Sequence, residues 1–364
     1  KQMRSEKVGT YMTRDINSNC VRMNTLIGEV VAKGGSLYDL AREMERAEDP
    51  TVVLTEWEKR FGSNKPLKGI KVVVEASPPP SGKLAGDTFS NLGAEIVLIN
   101  DDVQEVEGQH KADPSVDSNL AELKNRMETE NADFGIAFDL DGDRGAIVVP
   151  KRLYTVPELR FETLAPDNLI GALLPYLIEK YGYESKVIGK DVGVIRDVLG
   201  TFGVNDQAKK LGIKAFQTDA GYVFLKALRQ KLLEDGYVIP IYGERSGHSW
   251  LDVTGEIENP VAVAVLFASM VKQEKYQDDK TDVRNPFYAT YNEKSIPYFQ
   301  SPRFQPAFHP ELLKILSKDS RNTNGWTFES GKNPPQTIIA LGKDKTVAAL
   351  GEVFVVNGIF DTPA

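Results

Sequence analysis

Three carboxylates in the middle of the chain have the clearest chemical potential. Asp139, Asp141 and Asp143 alternate with other residues directly after an apolar stretch at 134–138. Carboxylate oxygens are the ligands that Mg²⁺ prefers, and three of them around one ion leave room for a phosphate oxygen or a water. Because three acidic groups this close also repel one another, a cation should compensate them. The spacing therefore predicts a Mg²⁺ site, and the alternative is an acidic surface turn.

Arg144 completes this first loop, which we define as residues 139–144. Its guanidinium can hold a phosphate through two parallel hydrogen bonds, and Gly142 allows the backbone to curl. We therefore take Arg144 as the candidate catalytic residue of the loop.

A second loop, residues 243–248, holds Glu244, Arg245, Ser246 and His248. The Glu and Ser side chains can hydrogen-bond neighbouring hydroxyls of a ligand while the Arg and His side chains face a phosphate. The alternative is a polar hairpin turn.

A weaker third segment lies at 217–222, before a predicted helix. It could place the Thr218 hydroxyl and backbone N–H groups near a ligand. A plain strand-to-helix turn explains the same residues equally well.

These loops need strands to position them. Apolar runs at 70–75, 94–99 and 134–138 predict buried strands, and 146–149 is a predicted partner of the last one. An amphipathic stretch at 119–130 predicts a helix. Alternation of strands and helices implies a mostly parallel sheet covered by helices.

A second stretch of alternating strands and helices follows from about residue 154. Its helices are predicted at 166–181, 224–233 and 260–271. Its strands are predicted at 185–189 and 237–242, and Pro240 inside the second of them favours a position at a sheet edge.

The two ends of the chain carry fewer signals. Helical spacing at 36–46, with Ser36 as N-cap, predicts one helix near the N-terminal end. Strands are predicted near the other end at 336–341, 352–356 and 359–360. The Asn-Gly pair at 357–358 is typical of a tight β-hairpin.

Composition and charge exclude several classes of protein. The 364 residues suffice for two or three domains, and a formal charge of −8 argues against a general nucleic-acid binder. The single cysteine, Cys20, allows no intramolecular disulfide and no cysteine-based metal site, which fits a reducing compartment. No apolar run reaches the roughly 20 residues of a membrane span, and no signal peptide is visible. We therefore expect a cytoplasmic protein without a nucleic-acid or membrane partner.

The two loops, in this order, resemble those of the α-D-phosphohexomutases, the phosphomannomutase/phosphoglucomutase superfamily. Asp-Leu-Asp-Gly-Asp-Arg at 139–144 is similar to the metal loop of that family, and Gly-Glu-Arg-Ser-Gly-His at 243–248 to its sugar loop. The stretch at 70–100 resembles the start of the family's second domain, and 218–226 resembles the loop and helix of its third. The resemblance covers residues 65–271.

The resemblance implies four domains around one cleft, in which a serine of the first domain carries a phosphoryl group. The expected reaction moves a phosphoryl group between C1 and C6 of a hexose phosphate of glucose or mannose type, with Mg²⁺ as cofactor. The implied metal ligands are Asp139, Asp141 and Asp143, together with the phosphoserine. The implied substrate-binding residues are Glu244, Arg245, Ser246, His248 and Thr218.

The sequence departs from the family pattern at several places. We recognise no counterpart of the phosphoserine loop at 1–64, and none of the C-terminal phosphate-binding loop before residue 364. Leu140 stands where the family usually has glycine, and Asp219 and Tyr222 are unusual in the third-domain loop. We therefore expect a fragment or a degenerate member of the family, whose own turnover would be absent or trace.

Two other functions stay open at the level of sequence. The first loop also resembles the D-x-D-G-T opening of haloacid-dehalogenase-type phosphatases, in which Asp139 would be the nucleophile. Asp143 replaces the expected threonine of that motif, and the second loop has no role in such an enzyme. The other possibility is a non-catalytic module that binds a metal or a sugar phosphate.

The predicted fold class is α/β, with two successive mixed or parallel-sheet domains of phosphohexomutase type and partial flanking segments. An N-terminal segment at 1–64 would be a remnant of a first domain or a linker helix. The domain with the metal loop is predicted at 65–153, and the domain with the sugar loop at 154–275. The segment at 276–364 contains the predicted hairpin.

Overall fold

A computed structural model describes most of the first 277 residues and five short strands beyond them. The described ranges are 15–62, 64–76, 79–100, 113–139, 141–150, 161–164, 166–200, 203–255, 257–277, 327–330, 338–341, 347–350, 354–356 and 359–361. Leu140 and the predicted turn at 357–358 therefore lie outside the described residues. The chain divides into two compact units, Lys1–Phe299 and Gln300–Ala364.

Three helices form the N-terminal part of the first unit, where the sequence predicted only one. They are α1 (Asp15–Ala32), α2 (Leu37–Arg46) and α3 (Pro50–Phe61). The predicted N-cap of α2 is confirmed, because the Ser36 hydroxyl accepts a hydrogen bond from the Asp39 backbone N–H at 3.1 Å. The apolar sides of these helices, which include Leu26 and Ile27, are buried in the same core as the strands that follow.

The first sheet has five strands and is mixed. In spatial order they are β2 (Glu95–Ile99), β1 (Lys71–Glu75), β3 (Phe134–Phe138), β4 (Gly145–Pro150) and β5 (Phe161–Leu164). Strand β1 pairs parallel with β2 and β3, whereas β4 pairs antiparallel with β3 and β5. The predicted fold class of mixed or parallel sheets is therefore confirmed, whereas the expectation of a mostly parallel sheet is wrong for this half. A connection as short as the first loop can join only antiparallel neighbours.

Helices cover both faces of this sheet. They are α4 (Pro79–Asn91) on one side and α5 (Ala121–Glu130) on the other. Val72 and Val74 of β1 face the main core, whereas Val73 packs with Leu123 and Met127 of α5. Burial on both faces explains why the strand sequence is a continuous apolar run.

The second sheet repeats the order of the first. Its strands are β7 (Lys214–Thr218), β6 (Gly193–Asp197), β8 (Ile241–Gly243) and β9 (Ser249–Leu251). Strand β6 pairs parallel with β7 and β8, and β8 forms an antiparallel pair with β9. Each sheet thus has two parallel pairings followed by a hairpin, and each hairpin carries one of the two loops.

The remaining helices of the first unit surround this sheet. They are α6 (Pro166–Glu179), α7 (Ser185–Ile188), α8 (Gly203–Leu211), α9 (Tyr222–Glu234) and α10 (Pro260–Gln277). None of the helices within the described ranges is both long enough and apolar enough to cross a membrane.

Two predictions for this sheet are wrong. Residues 185–189 form α7 and its C-cap, Gly189, rather than a strand, and the strand begins only at Gly193. Pro240 does not mark an edge, because β8 lies between β6 and β9. Pro240 immediately precedes β8, and its carbonyl accepts a hydrogen bond from Asp252 N at 2.9 Å.

The second unit is described through five strands. They are β10 (Thr327–Ser330), β11 (Ile338–Leu341), β12 (Val347–Leu350), β13 (Phe354–Val356) and β14 (Ile359–Asp361). The first three form one antiparallel sheet. The predicted hairpin is confirmed, since β13 and β14 pair antiparallel with Val356 opposite Ile359.

Candidate functional site

The first loop brings three carboxylates together at the turn between β3 and β4. The carboxylate oxygens that Asp139, Asp141 and Asp143 offer lie within 4.8 Å of one another. Asp139 is buried, Asp141 is exposed and Asp143 is intermediate. A set of oxygen donors alone, open to solvent on one side, fits Mg²⁺, which usually keeps waters or phosphate oxygens in its shell.

The side-chain carboxylate of Asp139 organises this loop by accepting hydrogen bonds from two later residues of the loop. One of its oxygens accepts hydrogen bonds from the N–H groups of Gly142 and Arg144, each at 3.1 Å, and the other accepts from Arg144 Nε at 2.5 Å. Burial pushes the pKa of Asp139 upward, but the hydrogen bonds from Arg144 outweigh it and leave the pKa below its ordinary value. Asp139 therefore stays ionised and holds the loop closed.

Gly142 is required by the shape of the loop. Its φ is +73°, and a Cβ at this position would run into the side chain of Ser81 on α4. The loop therefore lies tightly against the first turn of that helix.

The pKa of Asp143 is shifted by its surroundings. Burial raises its pKa to about 6; His248 opposes the rise, whereas the carboxylates of Asp139, Asp141 and Glu258 add to it. A divalent cation at this position would relieve the repulsion, and protons would compete with that cation below about pH 6.

Arg144 provides a positive charge within the first loop. Besides Asp139, its guanidinium reaches the carboxylate of Asp113, with Nη1 at 3.6 Å from Oδ1. About a quarter of the side chain, 27%, is exposed. Its contact with a phosphate stays a prediction.

The second loop is the turn between β8 and β9. Glu244 N donates to the His248 carbonyl at 3.0 Å, and the Ser246 hydroxyl donates to the Glu244 carboxylate in a short hydrogen bond. Glu244 is only 7% exposed. Arg245 turns the other way, and its Nη1 donates to the Leu199 carbonyl at 3.3 Å.

His248 is surrounded by carboxylates. Its Nδ1 lies 2.8 Å from Glu258 Oε2 and 3.6 Å from Asp143 Oδ2, and its Nε2 lies 3.6 Å from Glu244 Oε1. The imidazole is flanked by the rings of Tyr222 and Trp250, with centroids at 5.8 and 6.0 Å. Packing and charge thus fix the orientation of this ring.

Glu258 is the residue of this site that the sequence analysis missed. It belongs to neither loop and precedes α10 by two positions. Its only sequence signal is its place just before Asn259, which caps that helix by accepting a hydrogen bond from Ala262 N at 2.9 Å.

The two loops, from different sheets, are in direct main-chain contact. Arg144 and His248 form an antiparallel bridge, and Gly145 N donates to the Gly247 carbonyl at 3.3 Å. A Cβ on Gly247, where φ is +126°, would lie 2.8 Å from the Cβ of Arg144. Only glycine allows this approach, which brings the carboxylates of the first loop next to the imidazole.

Thr218 lies on a strand that does not adjoin either strand of the second hairpin. It ends β7, where it pairs with Asp197 of β6, so one strand separates it from β8. After it, Tyr222, Val223 and Phe224 at the start of α9 are about half exposed. The substrate-binding role of Thr218 stays a prediction.

Comparison with family models places both loops in one family. The model of phosphoglucomutase/phosphomannomutase α/β/α domain II matches residues 54–152, and that of domain III matches residues 166–284. Together the two matches cover more than half of the chain.

Curated relatives carry the name phosphoglucosamine mutase. The protein from Coxiella burnetii is 28% identical over 79% of this chain and 59% of its own length. The protein from Caldicellulosiruptor bescii is 30% identical over 50% of this chain and 35% of its own length. The chain thus spans between about a third and three fifths of the length of these relatives.

Solved structures of the same family are also similar to this chain. A phosphoglucomutase/phosphomannomutase family protein from Burkholderia thailandensis is 20% identical, with a TM-score of 0.48 over 68% of this chain and 53% of that one. The phosphoglucomutase parafusin from Paramecium is 19% identical, with a TM-score of 0.49 over 80% of this chain and 52% of that one.

Proposed function

This chain belongs to the α-D-phosphohexomutase superfamily, and on that premise we propose that its two loops form the metal-binding and sugar-binding parts of a phosphohexomutase site. The whole site would act as an isomerase that moves a phosphoryl group between C1 and C6 of a hexose phosphate. One observation carries the proposal: the carboxylates of the first loop and the Glu–Ser–His set of the second lie at one junction, joined by the bridge between Arg144 and His248.

Asp139, Asp141 and Asp143 would hold Mg²⁺. The fit rests on their oxygen-only donor set and on the pKa of Asp143, which burial raises first and the neighbouring carboxylates raise further. When bound, the ion supplies positive charge to the oxygens of a transferring phosphoryl group. Arg144, anchored on Asp139, would add a second positive charge at the same place.

The second loop would recognise the sugar. Glu244 and Ser246 already hydrogen-bond each other, so they present one acceptor and one hydroxyl as a pair to neighbouring sugar hydroxyls. His248, next to the first loop, would lie nearer to the phosphate than these two residues. A phosphate near Arg245 would have to draw its guanidinium away from the Leu199 carbonyl.

The substrate class follows from the relatives only as far as a hexose phosphate. The curated relatives are named phosphoglucosamine mutases, which makes glucosamine 6-phosphate the first ligand to test beside the glucose and mannose 6-phosphates. The sequence contains no recognisable phosphoserine loop, so we expect absent or trace turnover by this chain alone. Its cytoplasmic location also stays a prediction.

The phosphatase hypothesis explains less. It accounts for the first loop alone, whereas the family match spans both loops. Asp139, its nucleophile, has both oxygens occupied by hydrogen bonds from its own loop. The third possibility, a non-catalytic binding module, shares the same ligand site and would differ only in turnover of the complete protein.

Binding of hexose phosphates tests the proposal. With Mg²⁺ present, calorimetry should show binding of a hexose phosphate to wild type. Glu244→Ala removes the carboxylate that accepts from buried hydroxyls, and leaving those hydroxyls unsatisfied costs about 1–3 kcal/mol. The variant should therefore bind about five- to a hundredfold more weakly. Glu184→Ala, which removes an exposed carboxylate outside both loops, is the matched control and should bind as wild type does. Equal affinity of Glu244→Ala and wild type, or no binding of any hexose phosphate, would contradict the proposal.

A further inference from the structure

We infer that Asp143, His248 and Glu258 form a second divalent-cation site, one suited to a transition-metal ion of the Zn²⁺ and Co²⁺ class. The inference goes beyond the proposed function, because Mg²⁺ at the three aspartates needs neither His248 nor Glu258. The three groups come from different places in the chain, the first loop, the second loop and the segment before α10, and their ligand atoms lie within 4.8 Å of one another.

The spacing of the ligand atoms suits one small ion. Nδ1 of His248 is 2.8 Å from Glu258 Oε2 and 3.6 Å from Asp143 Oδ2. Ligands bound to Zn²⁺ at about 2.0–2.2 Å lie roughly 3.3 Å from one another in a tetrahedral shell. The two nitrogen–oxygen distances therefore differ from this value by about half an ångström or less, and the ligand atoms of all three residues lie within 4.8 Å of one another.

The surroundings favour Nδ1 of His248 as the ligand atom. Nδ1 is the ring nitrogen that faces both Asp143 and Glu258, whereas the carboxylate of Glu244 faces the other ring nitrogen, with Nε2 3.6 Å from Oε1. A carboxylate on the far side of the ring is the usual outer partner of a histidine that binds a metal. An ion at Nδ1 would replace the direct contact between Nδ1 and Glu258 Oε2 with a bond from each atom to the ion.

The three groups are also held in place without an ion. The imidazole is packed between two aromatic rings, and the bridge between Arg144 and His248 fixes the first loop beside it. Asn259, next to Glu258, is 7% exposed and donates a hydrogen bond to Asn24 on α1 at 2.8 Å. Such preorganisation lowers the entropy cost of binding an ion.

Charge at the site is arranged so that one carboxylate oxygen stays available. Lys226 is 3.2 Å from Glu258 Oε1, whereas it is Oε2 that faces His248. The side chains of Glu258 and His248 are each 14% exposed, so the site is sheltered yet reachable from solvent. Two carboxylates lie within 3.6 Å of Nδ1, and their combined negative charge favours a cation beside that nitrogen.

The donor set distinguishes this site from the first. One imidazole nitrogen and two carboxylate oxygens favour transition metals, whereas three carboxylates alone suit Mg²⁺. Asp143 belongs to both groups, so ions in the two sites would share its carboxylate. An ion in the second site would also cross-link the two sheets of the first unit.

Titration with Co²⁺, in the presence of saturating Mg²⁺, tests the inference. The visible absorption of bound Co²⁺ changes when a nitrogen atom is among its ligands, whereas Mg²⁺ has no visible absorption. Wild type should bind one Co²⁺ with this absorption, and Glu258→Gln should weaken binding at least about tenfold, since even outer partners of metal ligands are worth 10- to 100-fold. Asp141→Asn removes a carboxylate that belongs to the first site alone, so it should weaken Co²⁺ binding less than Glu258→Gln does.

Glu258→His tests whether Glu258 has only a structural role. It removes the carboxylate and its ion pair with Lys226 but keeps a metal ligand, so Co²⁺ binding should survive. A structural role would instead leave this variant as impaired as Glu258→Gln. The inference is overturned if wild type shows no nitrogen-ligated Co²⁺ spectrum, or if Asp141→Asn abolishes Co²⁺ binding while Glu258→Gln does not. These readouts use no sugar phosphate and no turnover, so failure of the proposed function leaves them interpretable.

Discussion

The two halves of the first unit share one topology but place different chemistry on it. In each sheet, two parallel pairings lead to a central strand, and that strand turns back through a hairpin: β3 into β4 in one half, β8 into β9 in the other. The first hairpin carries three aspartates and an arginine, and the second carries a Glu–Ser pair and an imidazole. Topology thus decides where a loop lies, and the residues of the loop decide what it can bind.

The hairpins also differ in how they hold their shape. The first is closed by the side chain of Asp139, which accepts from two backbone N–H groups and from Arg144. The second depends on backbone contacts, above all the approach of Gly247 to the first loop. Loss of an exposed carboxylate should therefore affect the first hairpin mainly in ion binding, whereas a backbone change should affect the second mainly in stability.

The largest effect is expected from the double substitution Asp141→Asn with Asp143→Asn. It removes two of three Mg²⁺ ligands but leaves Asp139, which holds the loop closed. Mg²⁺ affinity should fall at least about a hundredfold, while the melting temperature without metal should change little. Calorimetric titration with Mg²⁺ or Mn²⁺ measures the first quantity, and a thermal scan in a chelator the second. Undiminished Mg²⁺ binding would show that the first hairpin is only an acidic turn.

An intermediate effect is expected from Gly247→Ala. The added Cβ meets Arg144 Cβ at 2.8 Å, and the backbone has a φ of +126°. We expect the free energy of unfolding to fall by about 2–4 kcal/mol, measured by urea denaturation. Gly236→Ala is the matched control, because its φ of +89° is also positive but nothing lies within 4 Å of the new Cβ. If both variants lose the same free energy, the contact between the hairpins contributes no stability.

The smallest effect concerns the pH dependence of stability without metal. Because the pKa of Asp143 is raised from 3.8 to about 6 by folding, the folded chain binds this proton more tightly than the unfolded chain. Its stabilising contribution is therefore present at low pH and lost as pH rises from about 4 through about 6. Between those limits, the free energy of unfolding of wild type should fall relative to that of Asp143→Asn. Denaturant titrations in a chelator at several pH values measure the difference, and parallel curves would contradict it.

Local patterns predicted much of the fold. The apolar run at 134–138 coincides with β3, and the Asn-Gly signal predicted the hairpin of β13 and β14 correctly. The prediction failed at 185–189, where a short stretch with Val187 and Ile188 at its centre forms one helical turn. A run of that length does not distinguish strand from helix, and only the packing around it decides.

The sequence by itself determined which groups are available. The order of acids in the first loop and of Glu, Ser and His in the second gave the family and the expected ligands, because ligand chemistry depends on residue type and close spacing. The N-cap at Ser36 could be predicted from the sequence for the same reason, because a cap needs only residues within one helical turn.

Only the tertiary structure decided how those groups meet. Nothing near Asp143 in the chain indicates that Glu258 lies beside it, or that Gly247 packs against Arg144. These contacts join segments that are far apart in sequence, and their geometry depends on how two sheets and α10 pack together. Residue types fix what a group can bind, whereas packing over long sequence distances fixes its neighbours and, through burial and charge, the pKa of Asp143.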